Sequence, residues 1–177
     1  MKILLHICCA PCLAYPLEIL ESADVDVTGY FVNNNIHPYT EFKKRLDTLR
    51  EFSENKGFNF ICDEDYDIEE FFRLIAFNEE RRCEICYLMR LESTVKMASE
   101  KGYDAFSTTL LYSKYQNHDL IREISLELSE KYGILFHYED FRTGWGRGIK
   151  LSKKAGMYRQ QYCGCIYSER DRFLKTD

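Results

Sequence analysis

Nowhere in the 177 residues does an apolar run approach the roughly 20 residues that span a bilayer. The first apolar stretch, Lys2–Ile7, is too short for a secretory segment, and no small-residue cleavage site follows it. A cytoplasmic location without membrane contact is expected, and with it thiols rather than disulfides. No Gly-rich dinucleotide fingerprint follows that stretch and no phosphate loop occurs anywhere, which argues against nicotinamide or nucleoside-triphosphate chemistry. Repeats, linkers and low-complexity tracts are missing, and there are only three prolines. One domain over residues 1–177 is expected, long enough to bury a core without disulfide staples.

Cysteine is plentiful and grouped. Of eight, seven fall into three sets: Cys8, Cys9 and Cys12; Cys83 and Cys86; Cys163 and Cys165. Only Cys62 stands alone, late in an apolar strand-like run where a core thiol is expected. Grouped thiols in such a compartment point to metal binding or redox chemistry. The organising stretch is Lys2–Cys12, an apolar run ending in two adjacent cysteines, a proline and a third cysteine.

The net charge of −5 argues against non-specific coating of nucleic acid. Its distribution is uneven, however. From Phe141 to Ser168 there is no acid, while Arg142, Arg147, Lys150, Lys153, Lys154 and Arg159 are basic. That stretch reads either as a phosphate-binding patch or as a solvated face.

Periodicity alternates between strand and helix. Strands are expected at Lys2–Ile7, Val25–Val32, Phe58–Cys62, Tyr103–Thr109 and Ile134–Tyr138. Helices are expected from Pro11 through Leu20, over Tyr39–Asn55, after an Asp67 cap, over Cys83–Lys101 and over Asp119–Lys131. Gly57, Gly102 and Gly133 close three of them. Pro16 is expected in the first turn of its helix, because a deeper proline breaks the hydrogen-bond ladder. Residues 78–82 read as a loop, and a basic helical segment is expected after Gly144-Trp145-Gly146-Arg147-Gly148. This alternation implies an α/β fold, a doubly wound parallel sheet with helices on both faces. Ligands of such sheets bind beyond the carboxyl ends of the strands, where Cys8-Cys9, Asn33–Asn35 and Thr108-Thr109 fall.

Four thiolates commonly hold an iron–sulfur cluster, and also structural zinc. Cys83 and Cys86, three apart at a helix start, share one face, and the helix dipole favours their thiolates. Adjacent Cys8 and Cys9 would point to opposite faces of a straight strand, so a turn at Pro11 is needed for both to reach one centre. Cys8, Cys9, Cys83 and Cys86 are accordingly the candidate ligands of a [4Fe–4S] cluster. Cys163-Gly164-Cys165 reads as a strained, catalytic redox pair or as further metal ligands. Cys12 reads as a ligand of an additional metal ion or as a core thiol. A four-cysteine zinc site is the structural alternative, although an adjacent Cys-Cys pair does not fit zinc-ribbon spacing.

Three motifs together carry a family resemblance: Ile7-Cys8-Cys9-Ala10-Pro11-Cys12, Arg82-Cys83-Glu84-Ile85-Cys86-Tyr87 followed by Arg90-Leu91, and Gln161-Tyr162-Cys163-Gly164-Cys165. With Thr108-Thr109-Leu110 and the Asn33-to-Pro38 loop, they resemble the epoxyqueuosine reductase QueH family over essentially the whole chain. The resemblance implies a Rossmann-like (HUP-like) domain with a Cys-containing C-terminal extension. It implies an oxidoreductase, independent of cobalamin, for the last step of queuosine biosynthesis. The substrate would be tRNA with a GUN anticodon bearing epoxyqueuosine at the wobble position. A [4Fe–4S] cluster, an adjacent iron ion and an electron donor of ferredoxin or flavodoxin type are implied as well.

Asn33 and Asn35 offer amides suited to a base or ribose, and His37 lies near the expected crevice; all three also fit a plain turn. His6, in an apolar strand, reads as a core histidine. Trp145, Arg147 and Lys150 form, as a group, the candidate RNA-binding set, with rings for stacking and cations for phosphate. Two other functions fit the same residues less closely. One is a zinc-stabilised RNA-binding module. The other is a cluster-dependent tRNA sulfur transferase, against which the missing phosphate loop counts.

Overall fold

Ile3, Leu4 and Leu5 have no exposed surface, because the strand that carries them is the centre of the sheet. In the computed structural model, which describes residues 1–174, this strand is β1 (Lys2–His6). The last three positions of the expected 1–177 domain lie outside the described residues. β1 pairs in parallel with β2 (Asp26–Phe31) on one side, His6 opposite Tyr30. β3 (Phe60–Cys62) extends the sheet beyond β2. On its other side β1 meets β4 (Ala105–Thr108), with His6 opposite Thr108. β5 (Leu135–Phe136) completes the five-stranded order β3-β2-β1-β4-β5. All pairings are parallel, as the strand–helix alternation requires.

α1 (Ala10–Ser22) and α2 (Tyr39–Lys56) pack together, and α6 (Trp145–Lys154) lies against α1. α3 (Ile68–Ile75), α4 (Arg82–Lys101) and α5 (His118–Tyr132) pack as a second layer. The Asp67 side chain caps α3 as expected, accepting from the Glu69 N–H at 3.0 Å. Left-handed Gly57 (φ 69) and Gly102 (φ 71) end α2 and α4.

Pro16 departs from expectation. It lies in the second turn of α1, inside the helix, so Cys12, four residues earlier, keeps a carbonyl that no helical N–H reaches. The outer strands are shorter than their apolar runs, since Phe58 and Ile134 precede the paired residues. Residues 79–81 form a 3-10 turn leading directly into α4. The glycines of residues 144–148 do not precede the basic helix but open it, because Gly144 and Gly148 let it press against aromatic rings of the body. An eight-residue helix, α7 (Ile166–Phe173), comes after the last cysteine pair; its sequence carries little apolar periodicity and none was expected there.

Candidate metal centre

The strand order reverses between β1 and β4, and the crevice beyond their carboxyl ends is built by the segment immediately after each strand. Thr108 ends β4 and Thr109 opens the 3-10 turn that follows it. Thr109 Oγ1 accepts from the Cys8 N–H at 3.1 Å and donates to Cys8 Sγ at 3.3 Å. His6 Nδ1 lies 2.9 Å from Thr108 Oγ1. Burial, reinforced by the Arg90 charge, pushes the His6 pKa down to about 3, so the ring stays neutral.

Cys9 is extended (φ −174, ψ 159) and is the N-cap of α1, with Pro11 in the first turn behind it. The turn there, one helical turn before Cys12, brings the Cys8, Cys9 and Cys12 sulfurs within 4.8 Å of one another, all buried. Hydrogen bonds from Cys12 and Cys9 hold the Cys8 thiol well below its ordinary pKa, whereas burial pushes Cys9 up. Hydrogen bonding to its two neighbours and burial push Cys12 up as well. A thiophilic metal or an iron–sulfur cluster takes all three as thiolates, so the donor set fits such a group.

Four of the other five cysteines form a second neighbourhood, while Cys62 ends β3 apart from them. α4 carries Cys83, exposed, and Cys86, buried, on successive turns. Burial pushes Cys86 up to about 12 and the Arg90 charge opposes it. Cys163 and Cys165 act electrostatically on both Cys83 and Cys86. The expected set Cys8, Cys9, Cys83 and Cys86 thus draws two sulfurs from each neighbourhood, and Cys12 joins the first.

The segment carrying Cys163 and Cys165 is held by backbone contacts. Arg45 of α2 donates from Nη1 to the Cys163 carbonyl at 2.8 Å and from Nη2 to that of Tyr162 at 3.1 Å. The His37 N–H donates to the Gly164 carbonyl at 2.8 Å, and the Tyr162 hydroxyl donates to the His37 carbonyl at 2.6 Å. His37 is buried against Phe71 and Phe72, and burial takes its pKa down to about 4.

Side-chain amides face the sulfurs. Gln160 Nε2 donates to Cys9 Sγ at 2.9 Å, Gln116 Nε2 to Cys163 Sγ at 3.0 Å, and Asn35 Nδ2 to Cys86 Sγ. Gln116 is itself oriented by the Tyr87 hydroxyl, 2.7 Å from its Oε1. N–H donors to sulfur tune metal–thiolate centres. Nothing in the spacing of Gln116, Gln160 or Arg45 singles them out; Arg90, four residues from Cys86, shares its helix face.

Of the expected substrate contacts, Asn33 donates from Nδ2 to the Ile7 carbonyl at 2.8 Å. Asn35 joins Cys86 to Arg90, whose Nε donates to Asn35 Oδ1 at 2.7 Å. Trp145 is half-buried and stacks on Tyr112 at 5.1 Å between ring centres, with the 85% exposed Tyr115 edge-on at 5.6 Å. Arg147 is exposed and bonded to Glu18 at 3.0 Å, and Lys150 is exposed. No helix among the described residues is long and apolar enough to cross a membrane.

The chain matches the family described as "Epoxyqueuosine reductase QueH" over residues 3–171. The protein of that name from Dehalococcoides mccartyi is 38% identical over 176 residues, which is 99% of this chain and 97% of the relative. Its namesake from Thermotoga maritima is 34% identical, covering 96% of this chain and 91% of the relative. Among solved structures, one described as a predicted subunit of tRNA methyltransferase from Methanocaldococcus jannaschii superposes with TM-score 0.60. It covers 86% of this chain and 74% of that one at 14% identity, a likeness of fold alone.

Proposed function

The chain belongs to the epoxyqueuosine reductase QueH family, and we propose that it removes the epoxide oxygen of epoxyqueuosine in tRNA. The balanced reaction consumes two electrons and two protons and yields the cyclopentene of queuosine and one water. The observation that carries this reading is the meeting of the Cys8, Cys9 and Cys12 sulfurs, within 4.8 Å, at the ligand-binding end of the sheet.

Seven grouped thiols exceed the four that a cubane cluster uses. We assign a [4Fe–4S] cluster to Cys83, Cys86, Cys163 and Cys165, and an adjacent iron ion to Cys8, Cys9 and Cys12, in line with the two neighbourhoods. A second partition gives the cluster Cys8, Cys9, Cys83 and Cys86, the extra ion Cys12, and leaves Cys163 and Cys165 as a redox dithiol; the exposure of Cys163 favours it. Cys163→Ser separates them: loss of the cluster supports the first partition, and an intact cluster absorption without turnover supports the second. When bound, such centres supply electrons singly and a Lewis acid for the departing oxygen.

The protein's own groups hold the sulfurs and shield them. Thr109, Gln160, Asn35 and Gln116 fix sulfur positions by hydrogen bonds, while Arg45 clamps the segment that carries Cys163. Tyr115 and Trp145 present ring surface beside Gln116, suited to stacking an anticodon base. Lys150, Lys153, Lys154 and Arg159 are exposed on the acid-free stretch and suit phosphates, with Arg147 beside them. The reductant is a one-electron protein of ferredoxin or flavodoxin type.

The test is anaerobic incubation of iron-loaded protein with dithionite and tRNA bearing epoxyqueuosine, read by nucleoside mass. Loss of one oxygen supports the reading. An unchanged nucleoside contradicts it, and gain of sulfur reassigns the protein to sulfur transfer.

A further inference from the structure

The buried arginines Arg45 and Arg90 differ in one respect. Arg45, 1% exposed, is paired with Glu41 at 2.7 Å. Arg90, 3% exposed, has no carboxylate at ion-pair distance among the described residues, and its Nη2 is buried with no hydrogen-bond partner. Its Nε donates to Asn35 Oδ1 at 2.7 Å, and Asn35 Nδ2 passes the contact on to Cys86 Sγ.

A guanidinium does not shed its proton in a protein, so burial cannot be relieved by neutralisation. Removing such a charge from water is unfavourable unless an anion answers it. The sulfur that Arg90 reaches, by way of Asn35, is that of Cys86. Cys86, one helical turn earlier on the same face of α4, is joined to Arg90 through the Asn35 side chain.

We infer that Arg90 is the buried counter-charge of the thiolate-ligated centre on Cys86, and that Asn35 holds the guanidinium and the sulfur together. This rests on the reading of Cys86 as a ligand, which both partitions share. Arg90 is a positioning residue: it touches neither substrate nor reacting atoms. A fixed cation beside a metal–thiolate centre stabilises the more negative, reduced state, so it raises the reduction potential.

The test compares Arg90→Met, close in size but uncharged, with Arg90→Lys and wild type. Without metal, Arg90→Met melts at or above the wild-type temperature, because an unanswered buried charge has been removed. With iron loaded, the equilibrium constant for reduction falls at least tenfold in Arg90→Met, a shift of about 59 mV for a one-electron couple. Arg90→Lys recovers part of it. An Arg90→Met protein that fails to fold, melts well below metal-free wild type, or keeps the wild-type potential overturns the inference. If wild type takes up no iron, the ligand reading has failed, and the metal-free melting comparison alone decides whether Arg90 is an unanswered charge.

Discussion

Arg45 Nη1 donates to the carbonyl oxygen of Cys163 at 2.8 Å, tying α2 to a backbone segment 118 residues later. The same guanidinium pairs with Glu41, whose other oxygen accepts from the Tyr158 hydroxyl at 2.6 Å. Arg45→Met strands a buried carboxylate and is expected to cost roughly 3–5 kcal/mol in urea unfolding. Arg45→Met with Glu41→Gln recovers part of that loss. Hydrogen exchange at the His37 amide, bonded to Gly164, rises in the single variant; unchanged protection there would contradict the anchoring role.

Gln160→Leu removes the N–H donor to Cys9 Sγ at nearly constant volume. The bond strengthens as the sulfur gains charge on reduction, so a lower reduction potential of the adjacent centre is expected. Redox titration of the iron-loaded variant measures it, and an unmoved midpoint removes Gln160 from the account.

Two glycines at the start of α6 give opposite expectations. A Cβ on Gly144 would collide with the Tyr15 ring, whereas one on Gly146 meets nothing within 4 Å. Gly144→Ala should destabilise by about 1–3 kcal/mol through overpacking. Gly146→Ala should be neutral or stabilise by up to about 1 kcal/mol through helix preference. Thermal melts of the pair distinguish close packing from general tolerance.

Acid sensitivity arises from the buried neutral histidines. The pKa of His37 is about 4, below the ordinary value of about 6.5, so the unfolded chain binds a proton that the folded chain refuses in that window. The stability is complete above about 6.5 and falls as pH drops, at most about 1.4 kcal/mol per unit for each such histidine. His6 contributes in the same sense, down to about 3. Urea unfolding of metal-free protein from pH 7 to pH 5 should show this slope, reduced by up to one proton in His37→Phe. A flat profile would contradict the buried, neutral assignment.

The sheet was legible because its apolar runs and glycine stops agree with the observed order. The cysteine sets were legible because thiol spacing is a rare pattern. What joins the sets was not. Cys8 and Cys9 would diverge in a straight strand; that they converge with Cys12 depends on the extended Cys9 N-cap and the first turn of α1. Gln116 and Gln160 reach sulfurs only through tertiary packing, and glutamine at a lone position carries no signal. Asn33 and Asn35 carry amides suited to a ligand, yet here they bond the Ile7 carbonyl, Cys86 and Arg90. Pro16 shows the reverse case, a local rule overridden by a helix held on the core through Leu13, Leu17 and Leu20.

In the proposed reaction, electrons stored on a thiolate-held iron centre deoxygenate the nucleoside. Anaerobic single turnover tests it most directly: reduce the iron-loaded protein, remove the reductant, add tRNA bearing epoxyqueuosine, and track absorption and nucleoside mass together. The bleached iron–sulfur absorption is expected to return as the nucleoside loses oxygen, with two stored electrons spent for each oxygen lost. Absorption that stays bleached over an unchanged nucleoside, or equal turnover by zinc-loaded protein, would contradict it.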